Sequence, residues 1–326
     1  MPNQLTIPQS VYSQIDLSEL EQLGRIVGEE KSTYLVFDNN LKEITLKKNI
    51  HTELCVGDWV LLKKDQYGES FLDRRLSSEK VLTRSRDLET QKIVSNIDQM
   101  WIITSANSDF NLNRLERYYH LALNAQATPI IVITKVELIT GEEVQALSQK
   151  ILNRIPNAQI CGISVLKNIG LEQLYSLLRP TETIALMGSS GVGKSTLINY
   201  LKGNKVQKTQ DISSSDKGRH TTTNRKLFML ANGSYIVDNP GIRTVGVAGF
   251  KIESKCKFSD CSHTNEPGCK IIEKVNQGEL DEDQYKNMLK LQRESDYFES
   301  KNDPVLRKER KQEWKSVTKG INQRRR

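Results

Sequence analysis

Short runs of alternating apolar and polar residues, separated by turn residues, characterise the chain between positions 23 and 75. Alternation with a period of two is typical of half-buried β-strands. The pattern predicts strands at 25–27, 34–37, 43–46, 59–63 and 71–74. Five short strands in a segment of this size fit a small OB-fold β-barrel. OB barrels often bind oligonucleotides, but the fold alone does not assign a function.

From position 97 onward, fully apolar runs alternate with amphipathic segments. The apolar runs predict strands at 100–104, 129–133, 159–163, 183–187 and 234–237. The amphipathic segments predict helices at 114–125, 142–154, 171–178 and 196–201. Strands that are buried on both faces and separated by helices are typical of a parallel sheet with helices on both sides. The sequence therefore predicts an α/β domain after the barrel.

No run of apolar residues is long enough to cross a bilayer, because the longest ones, 129–133 and 184–187, are far shorter than the ~20 residues required. The N-terminus has no basic region followed by an apolar stretch, so no secretory signal is predicted. Five cysteines, an odd number, agree with a reducing compartment. We therefore expect a cytoplasmic protein that has no membrane partner. We also expect it to be a monomer.

The net charge of +7 is concentrated at the C-terminus. Residues 301–326 contain ten Lys or Arg and three acidic residues, which accounts for the whole net charge. Such a basic tail can neutralise the phosphates of a nucleic acid and release condensed counterions. A solvated tail that only aids solubility has the same charge pattern. Charge alone leaves both interpretations open.

A phosphate-binding loop is the clearest motif in the chain. Residues 188–195 match G-x-x-x-x-G-K-[ST] at every fixed position, between the strand at 183–187 and the helix at 196–201. A glycine-rich backbone can direct its N–H groups at phosphates, and the N-terminus of the following helix favours negative charge. The lysine of this motif binds the β- and γ-phosphates, which makes it a catalytic candidate, and the hydroxyl group ligates Mg²⁺. The predicted nucleotide-binding residues are Gly188, Ser189, Ser190, Gly191, Val192, Gly193, Lys194, Ser195 and Thr196.

A second phosphate-site motif, D-x-x-G, occupies positions 238–241 after the strand at 234–237. Asp238 would hold Mg²⁺ through a water molecule, and the N–H of Gly241 would contact the γ-phosphate. The polar segment 217–223 is typical of a switch loop, in which Thr222 would close on Mg²⁺ and the γ-phosphate. Ile242 stands where Ras-like enzymes have a water-orienting glutamine, so slow intrinsic turnover is expected.

The guanine-recognition motif N-K-x-D is absent downstream of position 241. Upstream, the strand at 129–133 ends in a degenerate form of it, and the strand at 159–163 ends in a degenerate S-A-K at 164–167. The order along the chain is therefore base recognition, phosphate-binding loop, switch and D-x-x-G, which is a circular permutation. The predicted base-recognition residues are Thr134, Lys135, Val136 and Glu137.

Two of these residues depart from N-K-x-D. Glu137 can still accept hydrogen bonds from guanine if its loop withdraws by about one methylene, whereas Thr134 loses the paired donor and acceptor of an amide. Lys135 matches the motif, and its aliphatic stem would cover the base. GTP is therefore the expected substrate, with weakened discrimination against other bases.

Three cysteines and one histidine lie within fourteen residues near the C-terminus, with the spacing C-x4-C-x-H-x5-C. A Cys₃His set is typical of a tetrahedral structural zinc site. Buried thiols or disulfides are the alternative, and a reducing compartment disfavours them. Helices are predicted after the cluster, at 271–275 and 283–298. The predicted zinc ligands are Cys256, Cys261, His263 and Cys269.

These motifs resemble those of the ribosome small subunit-dependent GTPase A family, also called RsgA, YjeQ or EngC. The resemblance covers roughly residues 20–300 and also rests on the segments 96–99, 117–118, 218–223 and 238–243. It implies an N-terminal OB-fold, a circularly permuted GTPase domain and a C-terminal zinc-binding α-helical domain. It further implies GTP hydrolysis stimulated by the 30S ribosomal subunit, contacts with 16S rRNA, and a role late in maturation of that subunit. One zinc ion, and Mg²⁺ with GTP, are the implied cofactors.

The resemblance also implies that the attacking water is positioned by His220 in the switch loop or by a group from the ribosome. The expected division of the chain is an N-terminal tail (1–22), the OB-fold (23–84), the permuted GTPase domain (85–248), the zinc-binding domain (249–300) and the basic tail (301–326).

Two alternatives remain open. A nucleotide-binding, RNA-binding module with little hydrolysis of its own fits the altered base motif and Ile242, and an ATPase fits Thr134. A DNA-binding zinc protein is disfavoured, because the Cys₃His spacing lacks the finger pattern that positions a recognition helix.

Overall fold

The computed structural model describes residues 2, 4–49, 52–86, 89–107, 109–203, 225–238, 250–252 and 254–302. The strands are β1 Leu23–Glu29, β2 Thr33–Asp38, β3 Glu43–Lys47, β4 Trp59–Lys64, β5 Ser70–Arg75, β6 Val81–Arg86, β7 Glu89–Ser95, β8 Gln99–Ser105, β9 Thr128–Thr134, β10 Gln159–Gly162, β11 Thr183–Met187, β12 Lys226–Met229 and β13 Tyr235–Asp238. The α-helices are α1 Gln9–Tyr12, α2 Leu112–Asn124, α3 Gly141–Arg154, α4 Leu171–Ser176, α5 Lys194–Leu201, α6 Lys270–Asn276 and α7 Glu282–Asn302, and short 3₁₀ helices occupy Leu17–Gln22 and Val136–Leu138.

The chain divides into two compact units. The first comprises Met1–Thr83 and Lys92–Thr244, and the second comprises Arg84–Gln91 and Val245–Arg326.

A five-stranded antiparallel barrel opens the first unit. Its strands are ordered β3-β2-β1-β4-β5. Lys47 on β3 forms an ion pair with Glu69 beside β5, with an N–O distance of 3.4 Å, so the two outer strands lie close together. The predicted strands are confirmed, and the alternating apolar side chains form the interior, which contains Ile26, Tyr34, Val36, Leu46, Leu54, Val60 and Leu62.

The α/β part of the first unit is built on parallel strands in the order β10-β9-β8-β11-β13. Strands β8 and β11 are buried along their whole length, as fully apolar runs predict. Strand β12 is antiparallel to β13 and also pairs with barrel strand β1, so that barrel and α/β part share one eleven-stranded sheet. The carboxyl ends of the parallel strands lie at one edge, where ligands bind in open α/β sheets.

Side-chain caps fix the start of the two longer helices beside this edge. The Asn111 side chain accepts a hydrogen bond from the N–H of Arg114 at the start of α2. At α3, Thr140 and Glu143 form a reciprocal capping box. Both arrangements satisfy N–H groups that the helix itself leaves unpaired.

The hydrophobic pattern does not reveal every element that the structure describes. The structure shows four elements that the sequence analysis does not predict: helix α1, the 3₁₀ turn Leu17–Gln22, the hairpin formed by β6 and β7, and strand β12. Thr6, in the segment expected to be a tail, is held on β13: its N–H donates to the hydroxyl of Tyr235, which donates to the Thr6 carbonyl, each at 3.0 Å.

The second unit contains the loop with the four predicted metal ligands, and helices α6 and α7. Both helices are confirmed, and α7 extends four residues beyond its predicted end at position 298. The hydroxyl of Tyr285 on α7 donates to the carbonyl of His263 at 2.8 Å, which attaches the loop to the helix. Within the described ranges, none of the helices is both long and apolar enough to cross a bilayer. Residues 303–326 of the basic tail lie outside the described residues.

Candidate nucleotide site and metal centre

The segment 188–193 connects β11 to α5 at the carboxyl edge of the parallel sheet. A Cβ atom at Gly188 would lie 2.4 Å from the carbonyl oxygen of Ile103 on β8, so only glycine fits there. Gly191 and Gly193 have φ angles of 81° and 97°, in the left-handed region that favours glycine. The strand, the glycine positions and the helix of the predicted phosphate-binding loop are thus all present.

The ammonium group of Lys194 lies inside this loop. Its Nζ donates to the carbonyl oxygens of Gly188 and Ser189, at 2.9 and 2.5 Å. A phosphate bound by the loop would compete with these carbonyls for the same charge. The predicted Mg²⁺ ligand Ser195 is exposed on the first turn of α5, and Thr196 beside it is half-buried.

Asp238, the other predicted Mg²⁺ residue, is the last residue of β13, next to β11 in the sheet. Burial raises the pKa of its carboxyl group, and the charge of Lys194 acts in the opposite direction. A half-buried carboxylate of this kind is well suited to a cation, because a bound Mg²⁺ would offset the loss of hydration. The carboxylate and Lys194 are thus close enough to influence each other's charge.

The predicted base-recognition segment lies against the phosphate-binding loop, although 58 positions separate Thr134 from Val192. The Thr134 hydroxyl donates to the Val192 carbonyl at 2.6 Å. The Nζ of Lys135 donates to the Gly191 carbonyl at 2.8 Å. The structure therefore brings together two motifs that occur in permuted order along the chain.

Glu137 lies in the 3₁₀ turn Val136–Leu138. The Val136 N–H of this turn donates to the carbonyl of Ile163, the residue after β10, at 3.3 Å. The Oε2 atom of Glu137 is buried and has no hydrogen-bond partner among the residues that the structure describes. A buried acceptor without a donor is unfavourable. Guanine carries N–H donors, so this unpaired oxygen fits the role predicted for Glu137.

The degenerate S-A-K segment lies at the end of β10, which pairs in parallel with β9. Ser164 is fully buried, and its hydroxyl accepts the N–H of Lys167 at 3.0 Å. The two predicted base-recognition segments therefore follow neighbouring strands.

Asp109 is a site residue that the sequence analysis misses. The hydroxyl of Ser189 donates to its Oδ2 at 2.5 Å, and Arg114 forms an ion pair with the same carboxylate at 2.8 Å. Asp109 follows the carboxyl end of β8, which pairs with β11. Its position after an apolar strand was the available signal, but the adjacency of β8 and β11 is not visible in the sequence.

Three predicted site residues, His220, Thr222 and Gly241, lie outside the described residues, within 204–224 and 239–249. Their roles stay predictions.

The four predicted metal ligands come together in the second unit, where the ligand atoms of Cys256, Cys261, His263 and Cys269 all lie within 4.8 Å of one another. The Sγ atoms of Cys256 and Cys269 are 3.9 Å apart, and each lies 3.6 or 3.5 Å from Nδ1 of His263. Around a tetrahedral zinc ion, two sulfur ligands lie about 3.8 Å apart, and sulfur and nitrogen about 3.5 Å apart. The residues present thus fit a shared metal ion.

Hydrogen bonds hold the ligand loop in shape. The Glu266 carboxylate accepts from the hydroxyl and N–H of Ser262 and from the N–H groups of Thr264 and Asn265. These bonds, chiefly the one from the Ser262 hydroxyl, lower the pKa of Glu266 to about 2. Hydrogen bonds from Ser254, and then from the Lys270 N–H, lower the pKa of the Cys256 thiol to about 6, whereas loss of hydration raises the pKa of the Cys261 thiol to about 11. At Cys256 the shift favours the thiolate, which is the form that binds metals.

Comparison with known proteins agrees with this geometry. Residues 75–248 match the model of the RsgA GTPase family. A protein of Listeria innocua named small ribosomal subunit biogenesis GTPase RsgA 1 is 36% identical, over 96% of this chain and 94% of that protein.

Two solved structures share the fold. That of YjeQ from Thermotoga maritima is 24% identical with a TM-score of 0.63, covering 83% of this chain and 96% of that one. That of YloQ, described as a circularly permuted GTPase, is 23% identical with a TM-score of 0.58, covering 82% and 92%. With the permuted fold and a family match over more than half of its length, the chain belongs to the RsgA GTPase family.

Proposed function

We propose that this protein hydrolyses GTP to GDP and phosphate, and that it assists the late maturation of the small (30S) ribosomal subunit, which stimulates the hydrolysis. Its relative in Listeria innocua is named a small ribosomal subunit biogenesis GTPase. The contact that best supports nucleotide binding is the pair of hydrogen bonds from Thr134 and Lys135 to the phosphate-binding loop. A nucleotide held by that loop would have segment 134–137 beside its base.

The phosphate end of the site would work by positioning and charge. Lys194 would release the carbonyls of Gly188 and Ser189 and donate to the β- and γ-phosphates. Ser195 would ligate Mg²⁺ directly, and Asp238 would do so through a water molecule. When bound, Mg²⁺ neutralises charge that develops on the phosphates.

Residues of the switch and D-x-x-G segments would position the attacking water. We assign His220 as the water-positioning group within the chain, Thr222 as the residue that closes on Mg²⁺ and the γ-phosphate, and the Gly241 N–H as a γ-phosphate contact. Ile242 has no polar group with which to orient water, so hydrolysis should be slow until the ribosomal subunit is bound.

Glu137 would provide most of the preference for guanine. Its unpaired Oε2 can accept from the N–H groups of guanine, whereas adenine presents a different pattern of donors and acceptors. The hydroxyl of Thr134 is occupied by the Val192 carbonyl and contributes little to the choice of base. Competition between ATP and labelled GTP tests this assignment, and comparable affinities would favour an ATPase.

We propose that the metal is a single structural Zn²⁺. Three sulfur ligands and one nitrogen complete a tetrahedral site and leave no position for a reacting water, which is typical of structural zinc. The barrel (23–84), the zinc module (249–300) and the basic tail (301–326) would then contact 16S rRNA. These limits are the ones expected from the sequence.

Single-turnover hydrolysis of GTP, with and without purified 30S subunits, tests the proposal directly. We expect acceleration by about tenfold or more on adding subunits, because the complex would supply a group that stabilises the charge developing on the phosphates. Equal rates in both conditions would contradict it and would instead support a nucleotide-binding, RNA-binding module with little hydrolysis.

A further inference from the structure

Asp109 lies in the connection between β8 and α2, beside the start of the phosphate-binding loop. Its side chain is 30% exposed, and its carboxylate accepts the Ser189 hydroxyl at 2.5 Å. Ser189 is the second residue of the loop and follows Gly188, which packs too closely on β8 for a Cβ atom. The start of the loop is thus held both by β8 and by the connection that follows it.

The connection that carries Asp109 is itself fixed by hydrogen bonds. The side-chain oxygen of Asn107 accepts the N–H of Asp109 at 3.0 Å and the hydroxyl of Ser105 at 2.7 Å. Arg114 on α2 donates to the backbone carbonyl of Asp109 and forms the ion pair with its carboxylate at 2.8 Å. These bonds preorganise Asp109 as an acceptor for the loop, and preorganisation lowers the entropic cost of binding.

The backbone of Ser189 contacts the lysine of the loop. Its carbonyl oxygen accepts Nζ of Lys194 at 2.5 Å. Since the lysine of this motif binds the β- and γ-phosphates, Ser189 lies at the γ-phosphate end of the site. When Lys194 turns to the phosphates, the Ser189 carbonyl loses this donor. The bond between the Ser189 hydroxyl and Asp109 does not depend on that movement and still holds the residue.

A carboxylate beside a phosphate site would by itself oppose the binding of an anion. Here the guanidinium of Arg114 lies 2.8 Å from the carboxylate of Asp109 and offsets its charge. The pair is neutral as a whole. Asp109 can therefore serve the loop as a hydrogen-bond acceptor with little repulsion of the phosphates.

We propose that Asp109 is a positioning residue for GTP: through the hydroxyl of Ser189, it holds the part of the loop beside Lys194 in the conformation that receives the γ-phosphate. This inference rests on the proposed function, because it concerns how the same site holds its substrate. GDP has no γ-phosphate at this end of the loop. Loss of the bond between Asp109 and Ser189 should therefore weaken the binding of GTP more than that of GDP.

Asp109→Ala and Ser189→Ala each remove one side of this hydrogen bond. Competition with fluorescent GDP in the presence of Mg²⁺ gives the affinities of the full-length protein for GDP and for guanylyl imidodiphosphate, a non-hydrolysable GTP analogue. Each variant should lose about threefold to tenfold in affinity for the analogue, and less for GDP. The double variant should lose no more than the larger single loss, because both changes break the same bond. Asp109→Asn keeps an oxygen acceptor and should retain most of the affinity.

Asp73→Ala is the matched control, because Asp73 is 28% exposed and forms an ion pair with Lys63 of the barrel at 2.8 Å. It should leave both affinities unchanged. Equal losses for the two nucleotides would show that Asp109 only supports the fold, and additive effects of the two alanine changes would show that it does not act through Ser189. A gain in affinity for the analogue in Asp109→Ala would show that repulsion dominates. Each of these results would overturn the proposal.

These affinities are measured without ribosomes and without hydrolysis. The proposed function is tested separately, by the rate of GTP hydrolysis with and without 30S subunits. Failure of that acceleration and failure of the positioning role are therefore different results.

Discussion

The hydroxyl of Thr134 lies 2.6 Å from the carbonyl oxygen of Val192, so the end of β9 is hydrogen-bonded to the phosphate-binding loop. Thr134 is 5% exposed, and this bond therefore forms away from solvent. The next residue of the loop, Gly193, also lies beside this hydroxyl: a Cβ atom built at Gly193 would be 3.7 Å from the hydroxyl oxygen. A threonine at the position of the motif's asparagine thus still fixes the loop, although it lacks an amide for the base.

Thr134→Val should loosen the loop, because it leaves the buried Val192 carbonyl without a donor. We expect a loss of about 1–2 kcal/mol in the free energy of unfolding. The affinity for fluorescent GDP should fall in parallel, by roughly threefold to tenfold. Urea unfolding and a nucleotide titration measure the two effects. Thr134→Ser retains the hydroxyl and is the control; equal behaviour of the serine and valine variants would show that the hydrogen bond is unimportant.

Glu137→Gln should weaken the binding of guanine nucleotides. The change replaces one carboxylate oxygen with an N–H₂ group, which cannot accept from guanine. A loss of about tenfold or more in GDP affinity is expected, since hydrogen bonds to a charged group are worth about 1.5–3 kcal/mol. The affinity of the variant for xanthosine diphosphate, which has a carbonyl where guanine has an amino group, should fall less than its affinity for GDP, or should increase.

The matched control is Glu142→Gln, the same chemical change on the exposed first turn of α3. Fluorescence competition against GDP, xanthosine diphosphate and ADP compares the variants. If Glu137→Gln and Glu142→Gln gave the same nucleotide preference, Glu137 would have no part in recognising the base.

Much of this architecture could be predicted from the sequence because its signals are local. The apolar runs that became β8 and β11 are buried on both faces, and the glycines of the phosphate-binding loop and the four predicted metal ligands lie within short stretches of chain. Their spacing alone indicated that each set comes together in the fold.

The residues that were missed depend on contacts distant in sequence. Asp109 meets Ser189 only because β8 and β11 pair, while β9 and β10 intervene along the chain. A charged residue in a strand is ordinarily expected to face solvent, but Arg25 is buried by Trp59 and Tyr235. No local pattern indicates either contact. The pairing of β1 with β12 is equally invisible before the fold is known.

Asp238→Asn should stabilise the nucleotide-free protein at neutral pH. Burial raises the pKa of Asp238 above its ordinary value of 3.8, so the folded state binds the proton more tightly than the unfolded state does. As the pH rises from the unfolded to the folded pKa value, Asp238 therefore lowers the free energy of unfolding. This destabilisation persists at all higher pH values. Asparagine has no such cost. The gain in stability should shrink as the pH is lowered towards 4.

Thermal unfolding of both proteins between pH 4 and pH 7.5, without nucleotide or Mg²⁺, measures this difference. In the presence of GDP the order should reverse, because Mg²⁺ stabilises the wild type through its carboxylate and the variant has lost that ligand. A variant that is less stable than the wild type at pH 7 without ligands would contradict the assignment of Asp238 as a carboxylate held ready for a cation.

Cys269→Ser should release the metal from the second unit. Sulfur ligands bind zinc far better than a hydroxyl, and Cys269 is a buried ligand 3.5 Å from Nδ1 of His263. The purified wild type should contain about one zinc per chain, and the variant much less than one.

Cys161→Ala is the matched control, because Cys161 is buried in the sheet beside β9 and burial raises the pKa of its thiol to about 11. Elemental analysis gives the zinc content of each protein, and GDP titration reports on the first unit. Undiminished zinc in Cys269→Ser, or equal loss from Cys161→Ala, would show that the four residues do not form the metal site.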